Sequence, residues 1–263
     1  MSSSSTPPVT ARRPDSAAAR LVLASASPSR RMILREAGID FEVVVSEIDE
    51  RAVMETAVQM VGELTPADEA ELLARAKAED VASLPQARGA LVLGCDSVFE
   101  LGGAGYGKPY EADVAFQRWQ AMRGNTGVLH TGHWLVDAST ATSTTSFHWL
   151  GKLADGLLGG APKPPYDELA SASETVSSEV VFGQPTDAQI RAYVESGEPL
   201  HCAGAFTLEG GAADFIERVD GDREAVIGVS PAALGRLFER LGHRLSDFAA
   251  PSAADPTSDG GGI

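Results

Sequence analysis

Two kinds of residue stand where they could do chemistry on an anionic substrate: carboxylates following strand-like runs, and cations beside serine or glycine turns. Asp49 and Glu50 follow the strand-like run 41–45 and its polar edge, and Asp96 follows the run 90–94. Acids at the ends of buried strands converge at one sheet edge, where open α/β folds place their ligands. Clustered carboxylates suit Mg²⁺, which takes a few carboxylate oxygens and shares its remaining positions with water and phosphate. A turn or helix-cap role is the alternative for Asp96, but a carboxylate directly after ValLeuGlyCys needs a partner if it is buried. Lys77 lies four residues from both Leu73 and Val81 on one helical face. A lysine in line with apolar residues must snorkel to water or find an anion.

The run LeuValLeuAlaSerAlaSerProSerArgArg, from Leu21 to Arg31, orders a strand, a serine-rich turn and a helix start. Ser27 is a good N-cap and Pro28 a good first helical residue. Arg30 and Arg31 then occupy the first turn, where cations oppose the helix dipole unless an anion sits at the cap. Gly102 to Lys108 imitates the start of a P-loop, but Pro109 stands where that motif needs a hydroxyl for Mg²⁺. The glycines therefore read as a hairpin that leaves Lys108 beside the site. His130 and His133 fall on opposite faces of a strand and cannot form one metal pair. Ser25 and Ser27 have no adjacent base, which argues against a serine nucleophile. Trp119, Cys95 and Cys202 read as packing residues, and two distant cysteines suit a reducing cytoplasm.

These residues need a scaffold, and its elements are legible. Strands are expected at 21–24, 41–45, 90–94, 127–136 and 175–182. Helices are expected at 28–37, from Pro66 to about Leu84, at 111–122, after Thr186 and from Pro231 to Gly242. Thr186 with Gln189 spells a capping box. Strands interspersed with helices imply an α/β protein with a mixed sheet. Residues 1–19 and 248–263 read as tails, and 20–247 as one domain with a low-complexity insertion at about 139–173 between two strands. The net charge of −16 opposes binding to a nucleic-acid polymer or an anionic membrane, yet permits a small anion held by a local cation cluster. No apolar run is long enough to cross a bilayer. The expected location is the cytoplasm, and a homodimer is compatible with the sequence.

In this order the motifs resemble the Maf family of nucleotide pyrophosphatases, also called septum-formation inhibitor-like proteins. The resemblance runs over about 21–245 outside the insertion. It is carried by SerAlaSerProSerArgArg, AspGlu at 49–50, LeuAlaArgAlaLysAla at 73–78, GlyCysAspSer at 94–97, GlyLysPro at 107–109, SerGlyGluPro at 196–199 and CysAlaGlyAlaPhe at 202–206. It implies two lobes around an elongated mixed sheet with a nucleotide cleft between them. It also implies a Mg²⁺- or Mn²⁺-dependent hydrolase that splits nucleoside triphosphates into monophosphate and pyrophosphate. By position, Asp96 would be the proton acceptor and Glu50 an acid near the metal. Ser25, Ser27 and Arg30 would form the phosphate turn, with Lys77 and Lys108 as site lysines. Ser29, Ser97 and Glu209 fall at base-reading positions. One branch of the family, acting on thymidine and uridine triphosphates, has Arg, Thr and Gln there; a second, acting on 7-methylguanosine triphosphate, has Trp, Gln and Glu. Glu209 matches the second, Ser29 and Ser97 match neither, and the chain resembles a third group. The competing reading is a nucleotide-binding regulator of cell division whose catalysis is incidental or absent.

Overall fold

A computed structural model describes residues 19–139 and 169–250. The expected N-terminal tail, most of the 139–173 insertion and residues beyond 250 lie outside the described residues. The described chain is an α/β fold with one mixed seven-stranded sheet. Its strands are β1 (Arg20–Leu23), β2 (Glu42–Val43), β3 (Ala90–Leu101), β4 (Ala104–Tyr106), β5 (Thr126–Asp137), β6 (Ser171–Phe182) and β7 (Ile216–Asp220). The order is β2-β1-β3-β5-β6-β7, with β4 paired to β3. β1 runs parallel to β2 and β3, and the remaining pairs are antiparallel.

The helices are α1 (Pro28–Glu36), α2 (Glu50–Val61), α3 (Pro66–Ala82), α4 (Ala112–Met122), α5 (Asp187–Glu195), α6 (Arg223–Ile227) and α7 (Pro231–Arg240). Local chemistry starts most of them. The hydroxyls of Ser27, Thr65, Thr186 and Ser230 each accept a backbone N–H of the first turn. Thr65 with Asp68 and Thr186 with Gln189 close reciprocal capping boxes.

β3, β5 and β6 each have 12 residues, about 40 Å of extended chain. That length carries more than one hydrophobic cluster. One end packs Leu21, Leu23, Leu34, Leu91, Leu93, Leu237 and Phe238 between α1, α7 and the sheet. The other packs Phe99, Trp119, Phe182, Tyr193 and Phe206. Its rings meet edge to face, as in Trp119–Phe182 at 5.6 Å and Phe99–Phe206 at 5.3 Å. Trp119 is core, as expected, and donates its indole N–H to Ala205 O at 2.7 Å.

Four sequence expectations are corrected. β3 continues through Asp96 to Leu101, so Asp96 sits inside a strand and not beyond its end. Gly94 is tolerated inside the strand because it faces a helix backbone. Asp49 and Glu50 do not end a strand; Asp49 caps α2, accepting from Ala52 N at 3.0 Å, and Glu50 opens that helix. Cys95 is buried, but Cys202 is only half-buried and borders the main cavity. Phe248, the first residue of the expected C-terminal tail, is 2% exposed and stacks on Phe238 at 4.2 Å. Ala249 bridges Ile39, so packing continues past the expected boundary. A lone aromatic in a polar stretch has no periodicity to announce this.

α3 lies unusually close to the sheet. A Cβ on Gly94 would stand 2.0 Å from Ala74 O, and one on Gly132 2.4 Å from Ala70 O. These two glycines let the helix backbone rest almost on the strands. On the opposite face, buried His133 accepts Ser230 N–H at Nε2 (2.9 Å) and donates from Nδ1 to Glu174 O (3.1 Å). Burial, with a smaller push from Arg30, lowers its pKa to about 4 despite the bond to Glu174.

Gly94→Ala should destabilise the fold by at least about 1–3 kcal/mol through overpacking. Gly235→Ala, in open space on α7, should stabilise it by about 0.5–1 kcal/mol. Urea unfolding of both variants checks the opposite signs. Because His133 is lowered in the folded state, its contribution is intact above pH 6.5 and is lost as pH falls towards 4, by about 3 kcal/mol. His133→Asn should flatten unfolding free energy against pH across that window, relative to wild type.

Candidate active site

The pairing of β3 leaves a notch. On one edge β5 accompanies β3 from Leu91 to Glu100. On the other, β1 pairs only with residues 90–93 and β4 only with 99–101. Between them β3 faces no strand, and both of its faces open to one space. Strand alternation therefore delivers Asp96 from the α3 face and Ser97 from the α1 face into the same site.

The space is a cavity of about 540 Å³. Ser25, Ser27, Ser29, Arg30, Glu50, Lys77, Asp96, Ser97, Lys108 and Glu209 all line it. Every site residue that the Maf resemblance implies is thus brought together, whereas Asp49 and Arg31 do not line the cavity. The charged lining comprises Arg30, Lys77 and Lys108 against Glu50, Asp96 and Glu209. These cancel formally, in a chain that carries −16 overall.

At the floor, Lys77 answers the choice between snorkelling and pairing. It is 9% exposed, flanked by buried Leu73 and Val81 on α3. Its ammonium lies 2.5 Å from Asp96 Oδ1 and 2.7 Å from Glu50 Oε1. Burial pulls the Lys77 pKa down, but Asp96 and Glu50 outweigh it and the net shift is upward. Burial likewise pushes Glu50 up, while Lys77, Lys108 and Arg30 hold it below the ordinary carboxylate range. Asp96 Oδ2 has no hydrogen-bond partner among the described residues. Glu69, on the same helix, is raised by burial and by the Asp96 charge. Its place near Asp96 had no signal in the sequence.

The turn before α1 forms one wall. Ser27 Oγ accepts Arg30 N–H at 3.4 Å, and Ser25 Oγ accepts Ser27 N–H at 3.3 Å and Arg30 Nη1–H at 3.0 Å. Arg30 turns inward and donates from Nε to Gly228 O at 2.8 Å. Arg31 folds away onto Ala26 O at 3.1 Å. The structure thus separates two arginines that the sequence leaves equivalent. Lys108 stands on the loop after β4, and the β3–β4 hairpin turn uses Gly102 and Gly103 at positive φ, the hairpin expected in place of a P-loop.

Glu209 enters from the other lobe, on a loop organised by Glu198. That carboxylate accepts from Tyr193 Oη at 2.9 Å, Thr207 Oγ1 at 2.5 Å and Gly211 N at 3.0 Å. His201, Cys202 and Thr207 share this wall. The CysAlaGlyAlaPhe motif marks the segment in the sequence, but Thr207 carries no local signal. Burial and the nearby carboxylates raise Cys202 to about 11, so it is a thiol and not a thiolate nucleophile.

The sequence profile of the family described as Maf-like protein matches residues 20–155 and 161–241. The chain belongs to the Maf family. The Maf profile runs through most of the stretch read as an insertion and leaves out 156–160. Three similar proteins carry the name nucleoside triphosphate pyrophosphatase. The one from Streptomyces coelicolor is 46% identical over 233 residues, 89% of this chain and 96% of its own. That from Streptomyces avermitilis is 44% identical over 232 residues, 88% of this chain and 95% of its own. That from Thermosynechococcus vestitus is 44% identical over 226 residues, 86% of this chain and 96% of its own. The Maf resemblance drawn from the motifs is therefore correct, and the motif residues of this Maf chain share one cavity.

Removing the ammonium should leave two facing carboxylates without their counter-ion. Lys77→Met is expected to cost about 3–5 kcal/mol at pH 8, as for other broken buried pairs. The deficit should shrink at pH 5, because the freed carboxylates then bind protons more readily when folded than when unfolded. Urea unfolding at the two pH values checks both statements.

Proposed function

We propose that this chain hydrolyses nucleoside triphosphates to nucleoside monophosphates and pyrophosphate, with Asp96 as the proton acceptor. The observation that carries the proposal is the convergence of Asp96 and Glu50 with Lys77, Lys108 and Arg30 in one cavity of about 540 Å³, a volume typical of small-ligand sites. Membership of the Maf family and relatives named nucleoside triphosphate pyrophosphatase support it.

The triphosphate lies along the α1 turn, where Ser25, Ser27 and Arg30 meet a helix N-terminus. Lys77 and Lys108 face it across the cavity. A water molecule attacks the α-phosphorus, and the bond to the oxygen bridging the α- and β-phosphates breaks. The electron pair leaves with pyrophosphate, and the water's proton passes to the Asp96 carboxylate through its free Oδ2. The Lys77 ammonium on Oδ1 orients that carboxylate to receive the proton. Cations along the phosphates stabilise charge developing on the leaving group.

A divalent cation, Mg²⁺ or Mn²⁺, is part of the proposal. Among the described residues no group of three or more His, Cys, Asp or Glu converges. Glu50 and Asp96 nevertheless line the same cavity, where each gives Lys77 one carboxylate oxygen and carries a second hard oxygen. Two carboxylates with water and phosphate completing the sphere are a donor set that fits Mg²⁺. When bound, the ion would neutralise phosphate charge. Among the described residues no helix is long and apolar enough to cross a membrane. With its free thiols Cys95 and Cys202, the chain suits a reducing cytoplasm. Glu209, a carboxylate on the lobe opposite the phosphate turn, accepts from an amino-bearing base edge.

Pyrophosphate release from a panel of nucleoside triphosphates with Mg²⁺ or Mn²⁺ tests this reading. Asp96→Asn should lower the rate at least about 100-fold, the scale of general-base catalysis. If Glu209 reads an amino edge, guanine nucleotides will outrank uracil and thymine nucleotides. Release from no triphosphate by folded wild-type protein would overturn the catalytic reading and leave a binding role.

A further inference from the structure

We infer that Ser97 and Thr131 form a hydroxyl relay that holds Arg30, so that Ser97 serves the phosphate end of the site and does not read the base. The inference rests on the cavity being a triphosphate site. It departs from what position alone implies for Ser97.

Hydrogen-bond directions can be assigned from the acceptors. Thr131 Oγ1 lies 2.7 Å from Ala225 O, and a carbonyl only accepts, so the single Thr131 hydroxyl proton goes there. Ser97 Oγ lies 2.9 Å from Thr131 Oγ1 and must therefore be the donor of that pair. With its proton committed, Ser97 accepts Arg30 Nη2–H at 3.3 Å. The chain of donors runs Arg30 to Ser97 to Thr131 to Ala225 O. Ser97 has no proton left to offer a base.

The relay also accounts for Thr131, which no other feature of the site explains. Thr131 is fully buried on β5, directly opposite Ser97 on β3. A strand interior there would accept valine, and a buried hydroxyl costs free energy unless bonded. The guanidinium ends up held on three sides: Nε by Gly228 O, Nη1 by Ser25 and Nη2 by Ser97. Gly228 caps α6 and Ala225 lies within it, so this short helix braces Arg30 both directly and through the relay. A planar donor fork fixed in this way presents its remaining N–H groups in one orientation, which is what bidentate phosphate recognition uses. Thr131 is a positioning residue in this scheme, and Ser97 is its contact to the arginine.

Inorganic tripolyphosphate, which has the phosphates and no base, is the discriminating probe. Calorimetric titration should show its Kd rising about tenfold in Thr131→Val and in Ser97→Ala, the scale of one hydrogen bond to a charged group. Thr131→Ser should restore wild-type affinity, which generic loosening of the core would not do. The double variant Ser97→Ala/Thr131→Val should be little worse than either single one, since both break one chain. On the nucleotide panel, kcat/KM in Ser97→Ala should fall by a similar factor for every base, with their ranking kept. Unchanged tripolyphosphate affinity in Ser97→Ala, or a reordered base ranking, would overturn the relay. If Thr131→Val does not fold, the partly exposed Ser97→Ala decides alone. Wild-type protein that binds tripolyphosphate but hydrolyses no triphosphate would sink the catalytic reading and leave the relay standing. Failure of wild-type protein to bind tripolyphosphate while it still hydrolyses nucleoside triphosphates would overturn the relay and leave the catalytic reading standing.

Discussion

The arrangement depends on how closely the α3 backbone approaches the sheet. Gly94 on β3 and Gly132 on β5 leave no Cβ between strand and helix, and carbonyls of α3 occupy the space a methyl group would need. Gly132 sits directly opposite Asp96 in the β3–β5 register. The approach therefore seats Lys77 within ion-pair distance of Asp96. A helix standing at an ordinary distance would separate the charges and leave a buried carboxylate unpaired, which is among the costlier defects in a core. Two small residues in the strands thus govern an electrostatic contact on a helix.

That contact organises charge in an otherwise acidic molecule. The cations and carboxylates of the cavity are interleaved, so the site is locally near neutral while the rest of the chain carries the negative excess. Lys77 occupies the point that both Glu50 and Asp96 can reach, and with Lys108 and Arg30 it holds Glu50 below the ordinary carboxylate range despite burial. A triphosphate adds several negative charges to such a place, and the cations are already aligned to meet them. Preorganisation of this kind avoids the reorganisation cost that water would impose.

The notch in the sheet explains why the site draws on both faces. β1 stops beside Leu93 and β4 ends opposite Phe99, so the β3 edge between them is free of strand partners. Each lobe has its own core along the same long strands, and the cavity lies where one gives way to the other. α1 with its serine cap comes from one lobe and the Glu209 loop from the other. The two ends of an elongated ligand can thus be met by structures that pack independently.

The sequence by itself determined what depends on near neighbours. Capping residues, glycine stops and strand alternation are decided within a few positions, and they were legible for Ser27, Thr65, Thr186 and Ser230. Residue types in order were enough to identify the family and to nominate the cavity lining. The tertiary structure alone decided matters of pairing over distance. By sequence Asp96 lies just past the apolar run 90–94, whereas the α3 backbone packed on Gly94 makes it an interior strand position. Arg30 and Arg31 are equivalent as neighbours, and only the facing Ser97 and Gly228 select one of them. Thr131 meets Ala225 across 94 residues, and Phe248 meets Phe238 across a turn with no periodic signal. Such contacts are settled by sheet register and helix packing, which are properties of the assembled chain and leave no trace in local spacing.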